Sequence, residues 1–443
     1  MASNTGNVPL TVDATGAGLA TGTLVYMYVV GLVAAADGNT FYRLDASGMP
    51  HAMSTSDNTN AAGTFPDSNL LSPTAAAVIA QNYALAWADY SIPVSLTAPT
   101  SLDLAHINPT NCPGLGTGTA AFSGRVYVSL GIPRLPFSPL SGGYTAPVPI
   151  GFPGSYTLFD WIEFSYDSEG NFNGNTTQVD QFGFELTLDG TPGGTLQGQL
   201  NQSRSAIMDA CGSSLSAPFG GGVLQVAVPA DAASAYPAGT DYLRVISPKT
   251  VTGPASYSGP LASYFDGVVT NSYTGWQATP LVTHDTSTGY YTGIVPTSGS
   301  NQGTLTFYQG DYATLQGLEA ANPPVAFLLT GTSPATNVIL TSDIWQCANT
   351  LASGSDAQKN VGKMLAAAYN RGVIGNLLDD STCQDAAGSF YPSGGTWNVW
   401  AQMFHGFSAN GLAYGFPYDD VCNQNPSISL TPTKSVTIKL GQF

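Results

Sequence analysis

The chain has 443 residues, of which 43% are hydrophobic and only 9% charged, and 28 acidic residues against 11 basic ones leave a net charge of −17. Such a surface repels phosphate backbones and disfavours anionic polymers, which argues against nucleic-acid binding and leaves a neutral polymer as a compatible partner. Polarity comes instead from 51 Gly and from many Ser, Thr, Asn and Gln residues, with 22 Tyr, a composition typical of β-rich extracellular proteins and one that predicts secretion.

From the amino end, Met1-Ala-Ser-Asn-Thr-Gly6 has neither the basic start nor the apolar stretch of a leader peptide, so the expectation is an exported protein whose leader is absent from this chain. Leu24–Ala36 is the longest apolar run. It is too short to cross a membrane and is interrupted by Gly31, so it reads as a buried strand and a turn. Thr23–Val30 and Thr40-Phe-Tyr-Arg-Leu44 read as strands joined by a hairpin turn at Asp37-Gly38-Asn39. Ser72-Pro73 supplies an N-cap and first-position pair for a helix over 74–90. Phe122–Leu130, Leu158–Tyr166 and Gln178–Leu188 read as further strands. A second helix is expected from Asp356 to Arg371, with Val361, Met364, Leu365, Ala368 and Tyr369 at helical spacing and Gly372 as its stop. Frequent strands with Gly/Pro/Asn/Ser punctuation predict a sandwich or barrel. Helical content clusters between about 310 and 385, which sets a mixed α/β part against a β part.

Five cysteines (Cys112, Cys211, Cys347, Cys383, Cys422) form no CxxC pair, so no zinc site is expected. In a secreted chain, one or two disulfides and an odd thiol would follow. Cys347 and Cys383 bracket the second helix and could close a loop around it. His51, His106 and His284 show no metal spacing, and no cofactor is called for. His405, in an apolar run, reads as a hydrogen-bonded structural histidine.

The chemistry concentrates in Leu158-Phe-Asp-Trp-Ile-Glu-Phe-Ser-Tyr-Asp167 and Asn175-Thr-Thr-Gln-Val-Asp-Gln-Phe-Gly183. In a chain so poor in charge, carboxylates inside apolar strand patterns stand out. With period two, Leu158, Ile162 and Phe164 point one way and Trp161, Glu163 and Ser165 the other. The second face offers an indole to stack on a sugar ring, a carboxylate and a hydroxyl, and Asp167 continues it. Asp180 shares the parity of Gln178, Phe182 and Phe184, so it sits either on an aromatic-lined face or beside a bulge that re-aims it. A hairpin would bring Glu163 and Asp180 within several ångströms, and a gap of about 6.5–9.5 Å would admit the water of an inverting glycosidase. Packing by Trp161 and Phe164 favours a protonated Glu163, the general acid, with Asp180 as general base. Against this stands the ordinary reading of a strand carboxylate as a solvated edge charge. Trp161, Trp276, Trp397 and Trp400 are sugar platforms or core, with Trp161 preferred as a platform. Tyr418, Asp419 and Asp420, in an aromatic block, either line a groove or brace a turn.

Trp161-Ile-Glu-Phe-Ser-Tyr-Asp167 and Thr177-Gln-Val-Asp-Gln-Phe-Gly183 resemble the paired signature of glycoside hydrolase family 64, endo-acting β-1,3-glucanases related to thaumatin-like proteins, some of which release laminaripentaose. Gly124–Gly131, Leu243-Arg-Val-Ile-Ser-Pro-Lys249, Asn398–His405 and Tyr414-Gly-Phe-Pro-Tyr-Asp-Asp-Val421 resemble further blocks in the same order, from about residue 8 onward. The resemblance implies inversion, with Glu163 as acid and Asp180 as base. It implies sugar contacts at Ser165 and Asp167, where the family more often carries Thr and Asn, and at Thr177 and Gln178. It also implies a mainly β fold: a thaumatin-like barrel or sandwich over 1–190 with 400–443, a mixed α/β domain over 191–399, and an open groove between them. A monomer acting on laminarin, curdlan or fungal wall glucan is expected. The competing readings are a thaumatin-like glucan binder without activity and an adhesive β surface protein.

Overall fold

The computed structural model describes residues 6–35, 38–116, 120–151, 153–331, 337–380 and 389–443. Its largest sheet has eight strands. Seven lie on one path: β1 (Val25–Ala35), β2 (Gly38–Leu44), β3 (Pro50–Ala52), β4 (Ala121–Leu130), β5 (Leu158–Asp167), β6 (Phe172–Thr176) and β7 (Ser427–Leu430), in the order β7-β6-β5-β4-β1-β2-β3. Neighbours along this path are antiparallel, and Ile92–Pro93 pairs with β1 off it. A four-stranded sheet (Leu186–Thr191, Ser435–Leu440, Pro9–Asp13, Thr100–Asp103) shares one apolar core with it. That core takes Val29, Val126 and Ile162 from the large sheet and Leu10, Leu188 and Ile438 from the small one.

A second core gathers helices and a five-stranded sheet (Val325–Leu329, Leu305–Gln309, Gly289–Ile294, Leu281–Asp285, Leu377–Asp379). Between the cores runs a three-stranded sheet of Gln181–Phe182, Tyr242–Ile246 and Gln225–Ala227. Leu243 belongs to the first core and Val245 to the second, so this sheet stitches the two together.

Three glycines shape the large sheet. Gly31 pairs with Gly124, Gly124 with Phe164, and Phe164 with Gly174, a row crossing four strands on the core side. Phe122, Phe164 and Phe172 stack over that row, with ring centroids 5.8 and 5.5 Å apart. A Cβ on Gly31 or Gly124 would meet the Phe122 ring at 2.4 or 2.8 Å, and one on Gly174 would meet the Phe172 ring at 2.6 Å. Glycine is therefore required for the rings to lie flat on the backbone.

Several expectations are corrected. β1 runs through Gly31 to Ala35, because the glycine faces an aromatic ring and breaks nothing. The helix at Pro73 stops at Ala80, short of Tyr90. Beyond it, Trp87 pairs with Asn60 and donates its indole N–H to Thr64 O at 2.8 Å, and Ala88 pairs with Phe137, so tertiary partners override helix propensity. The strand expected over 178–188 is three pieces: a loop to Asp180, the two residues Gln181–Phe182, and Leu186–Thr191 in a different sheet. The helix over Asp356–Arg371 has the expected bounds, with Gly372 left-handed at φ 70°. Cys112, Cys211 and Cys347 are free, buried thiols, so the Cys347–Cys383 bridge does not form. Cys383 itself, like Asp37 of the expected turn, lies outside the described residues.

Candidate active site

The face of the large sheet away from the core is a groove of about 580 Å³. Strand register lays out its floor. One row reads Phe41, Leu32, Ser123, Ser165, Asn173 and Ser429, and the next reads Val30, Arg125, Glu163, Asn175 and Ser427. Glu163 and Ser165 thus stand in the groove, flanked by small polar side chains. All lining residues belong to 30–175 and 425–429.

Trp161 occupies the same face one row further along. It is only 3% exposed, packed with Tyr28, Tyr127 and Phe159, and Arg125 lies 5.1 Å over its ring. It is a buried support for the arginine and presents no sugar platform. Trp276 and Trp400 are core.

Glu163 is not enclosed by apolar rings, as the strand pattern suggested. Arg125 on β4 faces it directly, holding Glu163 Oε1 through Nη2 at 2.8 Å and Nε at 3.1 Å. Burial would pull the Arg125 guanidinium down, but Tyr127, Glu163 and Asp180 together push it up, so it stays a cation. Arg125 also reaches Tyr127 Oη at 3.3 Å. Asp180 has a countercharge too, since its Oδ1 is bonded to Lys249 Nζ. Lys249 sits on α1 (Pro248–Thr252), on the side of the second core. Among the described residues, Glu163 Oε2 and Asp180 Oδ2 have no hydrogen-bond partner. Each carboxylate therefore has one oxygen tied to a cation and one unengaged. Both stay partly open, with side-chain exposures of 33% and 20%. Because Asp180 lies in a loop, its parity with Phe182 and Phe184 has no bearing on its aim.

The remaining sequence candidates are placed as follows. Asp167 closes the β5–β6 turn: Oδ1 accepts from Glu169 N and Asn171 N, both at 2.9 Å, and Oδ2 accepts from the Asn171 amide at 2.8 Å. Thr177 and Gln178 are buried. Thr177 Oγ1 accepts from Val179 N at 3.2 Å, while Gln178 N donates to Tyr414 O at 2.8 Å, Gln178 Oε1 accepts from Tyr414 N at 3.4 Å, and Gln178 O accepts the Trp400 indole N–H at 3.0 Å. Trp400 lies on α2 (Val399–Phe407). Asp419 is wholly buried, accepting from Arg371 Nη2 at 2.8 Å, Gly415 N at 2.9 Å and His405 Nε2 at 3.1 Å. It braces the block and does not line the groove, and His405 is structural as expected. Tyr418 is half-buried against the second core with φ 68°, and Asp420 is exposed. Neither lines the groove.

Among the described residues, His284, Asp379 and Asp380 bring donor atoms within 4.8 Å of one another. This grouping belongs to the five-stranded sheet, away from the groove lining. His284 Nδ1 lies 3.0 Å from Asp379 Oδ1, and the adjacent Asp285 is paired with Lys363 at 3.2 Å.

Sequence reasoning missed Arg125 and Lys249. Their signal was the one that exposed the carboxylates: with eleven basic residues in 443, a cation inside Gly124-Arg-Val-Tyr-Val128 or Val245-Ile-Ser-Pro-Lys249 is as unusual as an acid.

The family model described as β-1,3-glucanase of glycoside hydrolase family 64 matches residues 10–440. The chain belongs to this family. It is a glycoside hydrolase of the β-1,3-glucanase type. Among solved structures it is similar to a family 64 β-1,3-glucanase domain from Clostridium beijerinckii, at 21% identity with all of both chains covered and a TM-score of 0.70. A laminaripentaose-producing β-1,3-glucanase in complex with laminaritetraose matches at 20% identity, over 98% of this chain and 99% of that one, with a TM-score of 0.69. The laminaripentaose-producing enzyme from Paenibacillus barengoltzii, complexed with laminarihexaose, matches at 20% identity, over 99% of this chain and 76% of that one, with a TM-score of 0.59. At these identities the likeness concerns the fold. No curated protein matches the chain.

Proposed function

We propose that this family 64 member cleaves β-1,3-glucan internally with inversion, using Glu163 as general acid and Asp180 as general base. The observation that carries the reading is the pair of half-anchored carboxylates. Arg125 fixes Glu163 Oε1 and leaves Oε2 to protonate the departing glycosidic oxygen. Lys249 fixes Asp180 Oδ1 and leaves Oδ2 to take the proton of a water attacking the opposite face of the sugar. Ser123, Ser165, Asn173 and Asn175 offer the uncharged hydrogen-bonding surface that a neutral glucan needs. Release of short laminari-oligosaccharides such as laminaripentaose, a thaumatin-like ancestry for the β part, and a monomer active on laminarin, curdlan or fungal wall glucan belong to the same reading. So do export, proposed from composition, and a disulfide at Cys422.

The test is product analysis on linear β-1,3-glucan. Glu163→Gln and Asp180→Asn should each abolish release of reducing ends while leaving the circular dichroism spectrum intact, and NMR of fresh wild-type product should show the α-anomer first. Retained activity in both variants, or an initial β-anomer, overturns the assignment.

A further inference from the structure

The loop that carries Asp180 is gripped from the side of the second core. Asp180 O accepts from Ser247 N at 3.0 Å and from Thr250 Oγ1 at 2.7 Å, and Val179 O accepts from Ser247 Oγ at 2.6 Å. With the Lys249 contact to Oδ1, all of these come from one turn of chain. That turn is itself well fixed. Ser247 caps α1 through a bond from Thr250 N at 3.2 Å, Pro248 sets its first residue, and Gln346 Nε2 donates to Lys249 O at 2.6 Å.

We propose that Lys249 is the positioning residue of the general base, so that the α/β side of the molecule aims a carboxylate working beside a groove built by the β side. The inference rests on the reading of Asp180 as base. An aspartate in a loop has no strand neighbours to fix its rotamer. The backbone bonds from Ser247 and Thr250 set where its Cα stands, but they leave the carboxylate free to turn. A charge-assisted bond to Oδ1 removes that freedom and turns Oδ2 toward the water. Lys249 has the reach and the charge for this, and its own backbone is held from two directions. It touches no substrate; it acts through Asp180. Arg125 plays the matching part for Glu163 from within the β sheet, so acid and base are aimed from different cores.

The experiment compares Lys249→Met, Lys249→Arg, Asp180→Asn and the Lys249→Met/Asp180→Asn double variant in full-length protein, with laminarin as substrate. Loss of aim by an ångström costs about 100-fold, so Lys249→Met should lower kcat about 100-fold with KM within twofold, and Lys249→Arg should recover much of it. The double variant should be no slower than Asp180→Asn alone, since a residue acting through Asp180 has nothing left to aim. Wild-type kcat in Lys249→Met, or a further loss in the double variant comparable to that of Lys249→Met alone, overturns the proposal. An active Asp180→Asn overturns instead the assignment of the base. Should Lys249→Met not fold, Lys249→Gln, which also removes the charge on Oδ1, decides: a kcat loss approaching about 100-fold at unchanged KM supports the proposal, and an unchanged kcat overturns it.

Discussion

Replacing Asp419 with alanine should cost stability, not substrate. The carboxylate is fully buried and so is its partner Arg371. In the wild type the guanidinium lies between Phe390 and Phe416, 4.6 and 5.5 Å from their ring centroids, with Nη2 on Asp419 Oδ1 and on Asp419 O at 3.0 Å, and Nε unpartnered. Truncation leaves this cation without its countercharge, strips His405 Nε2 of its acceptor and orphans Gly415 N. Breaking one half of a buried ion pair costs about 3–5 kcal/mol. Domain stabilities are about 5–15 kcal/mol, so the variant should lose about a fifth or more of its margin. Urea unfolding followed by tryptophan fluorescence reads this as a lower midpoint at unchanged slope. Activity per folded molecule on laminarin, and KM, should stay near wild type. Asp420→Ala, at an exposed site, should move stability by less than about 0.5 kcal/mol. A stable Asp419→Ala with a raised KM would mean that the residue touches glucan and that the burial reasoning is wrong.

Gly124→Ala would set a methyl 2.6 Å from Val30 O and 2.8 Å from the Phe122 ring; overpacking of this kind costs about 1–3 kcal/mol, measurable by urea unfolding, and should raise KM by distorting the groove floor. Burial pushes the Asp160 carboxyl up to about 7, against bonds from the backbone N–H groups of Gly183, Trp161 and Phe184. The native state thus holds a proton that the unfolded chain releases near pH 4. The stabilisation belonging to this proton is complete at low pH and fades as pH rises from about 4 to about 7. Asp160→Asn should therefore show a flatter decline of unfolding free energy across that window, and an identical slope in both proteins would contradict the burial cause. Cys347 should resist iodoacetamide in the folded protein, because burial raises its thiol, and should be alkylated in unreduced guanidinium; mass spectrometry showing it unlabelled there would place it in a disulfide after all.

The large sheet was legible because its strands alternate: the same parity that separates Ile162 from Glu163 separates core from groove, and the β4–β5 and β5–β6 ladders preserve it. The helix Asp356–Arg371 was legible from its spacing and its glycine stop. What local pattern could not supply was the change of partner after Thr176. Period-two reasoning continues a strand as long as side chains alternate, whereas here the backbone bonds of Gln178 and Asp180 go to Tyr414 and Ser247. The same blindness turned Thr177, Gln178 and Asp419 into groove residues. Polar side chains near a site read as ligands until their hydrogen bonds are counted, and these are spent inside the protein. Trp161 failed for the opposite reason: it has the right face, but the arginine above it closes that face to solvent.

The pairing of Leu10 with Val436 and of Asp13 with Lys439 joins the two extremes of the sequence in parallel. Nearly everything between them is one closed loop, and the groove wall at Asn425–Ser429 is threaded just before the closure. Folding must therefore defer its most distant contact, whose closure entropy grows with loop length, and chains rich in such contacts fold slowly. Nicks in surface turns should be survivable, because the closed loop keeps the fragments together. Loss of the strand at 435–440 should instead take the small sheet, the shared core and then the groove with it.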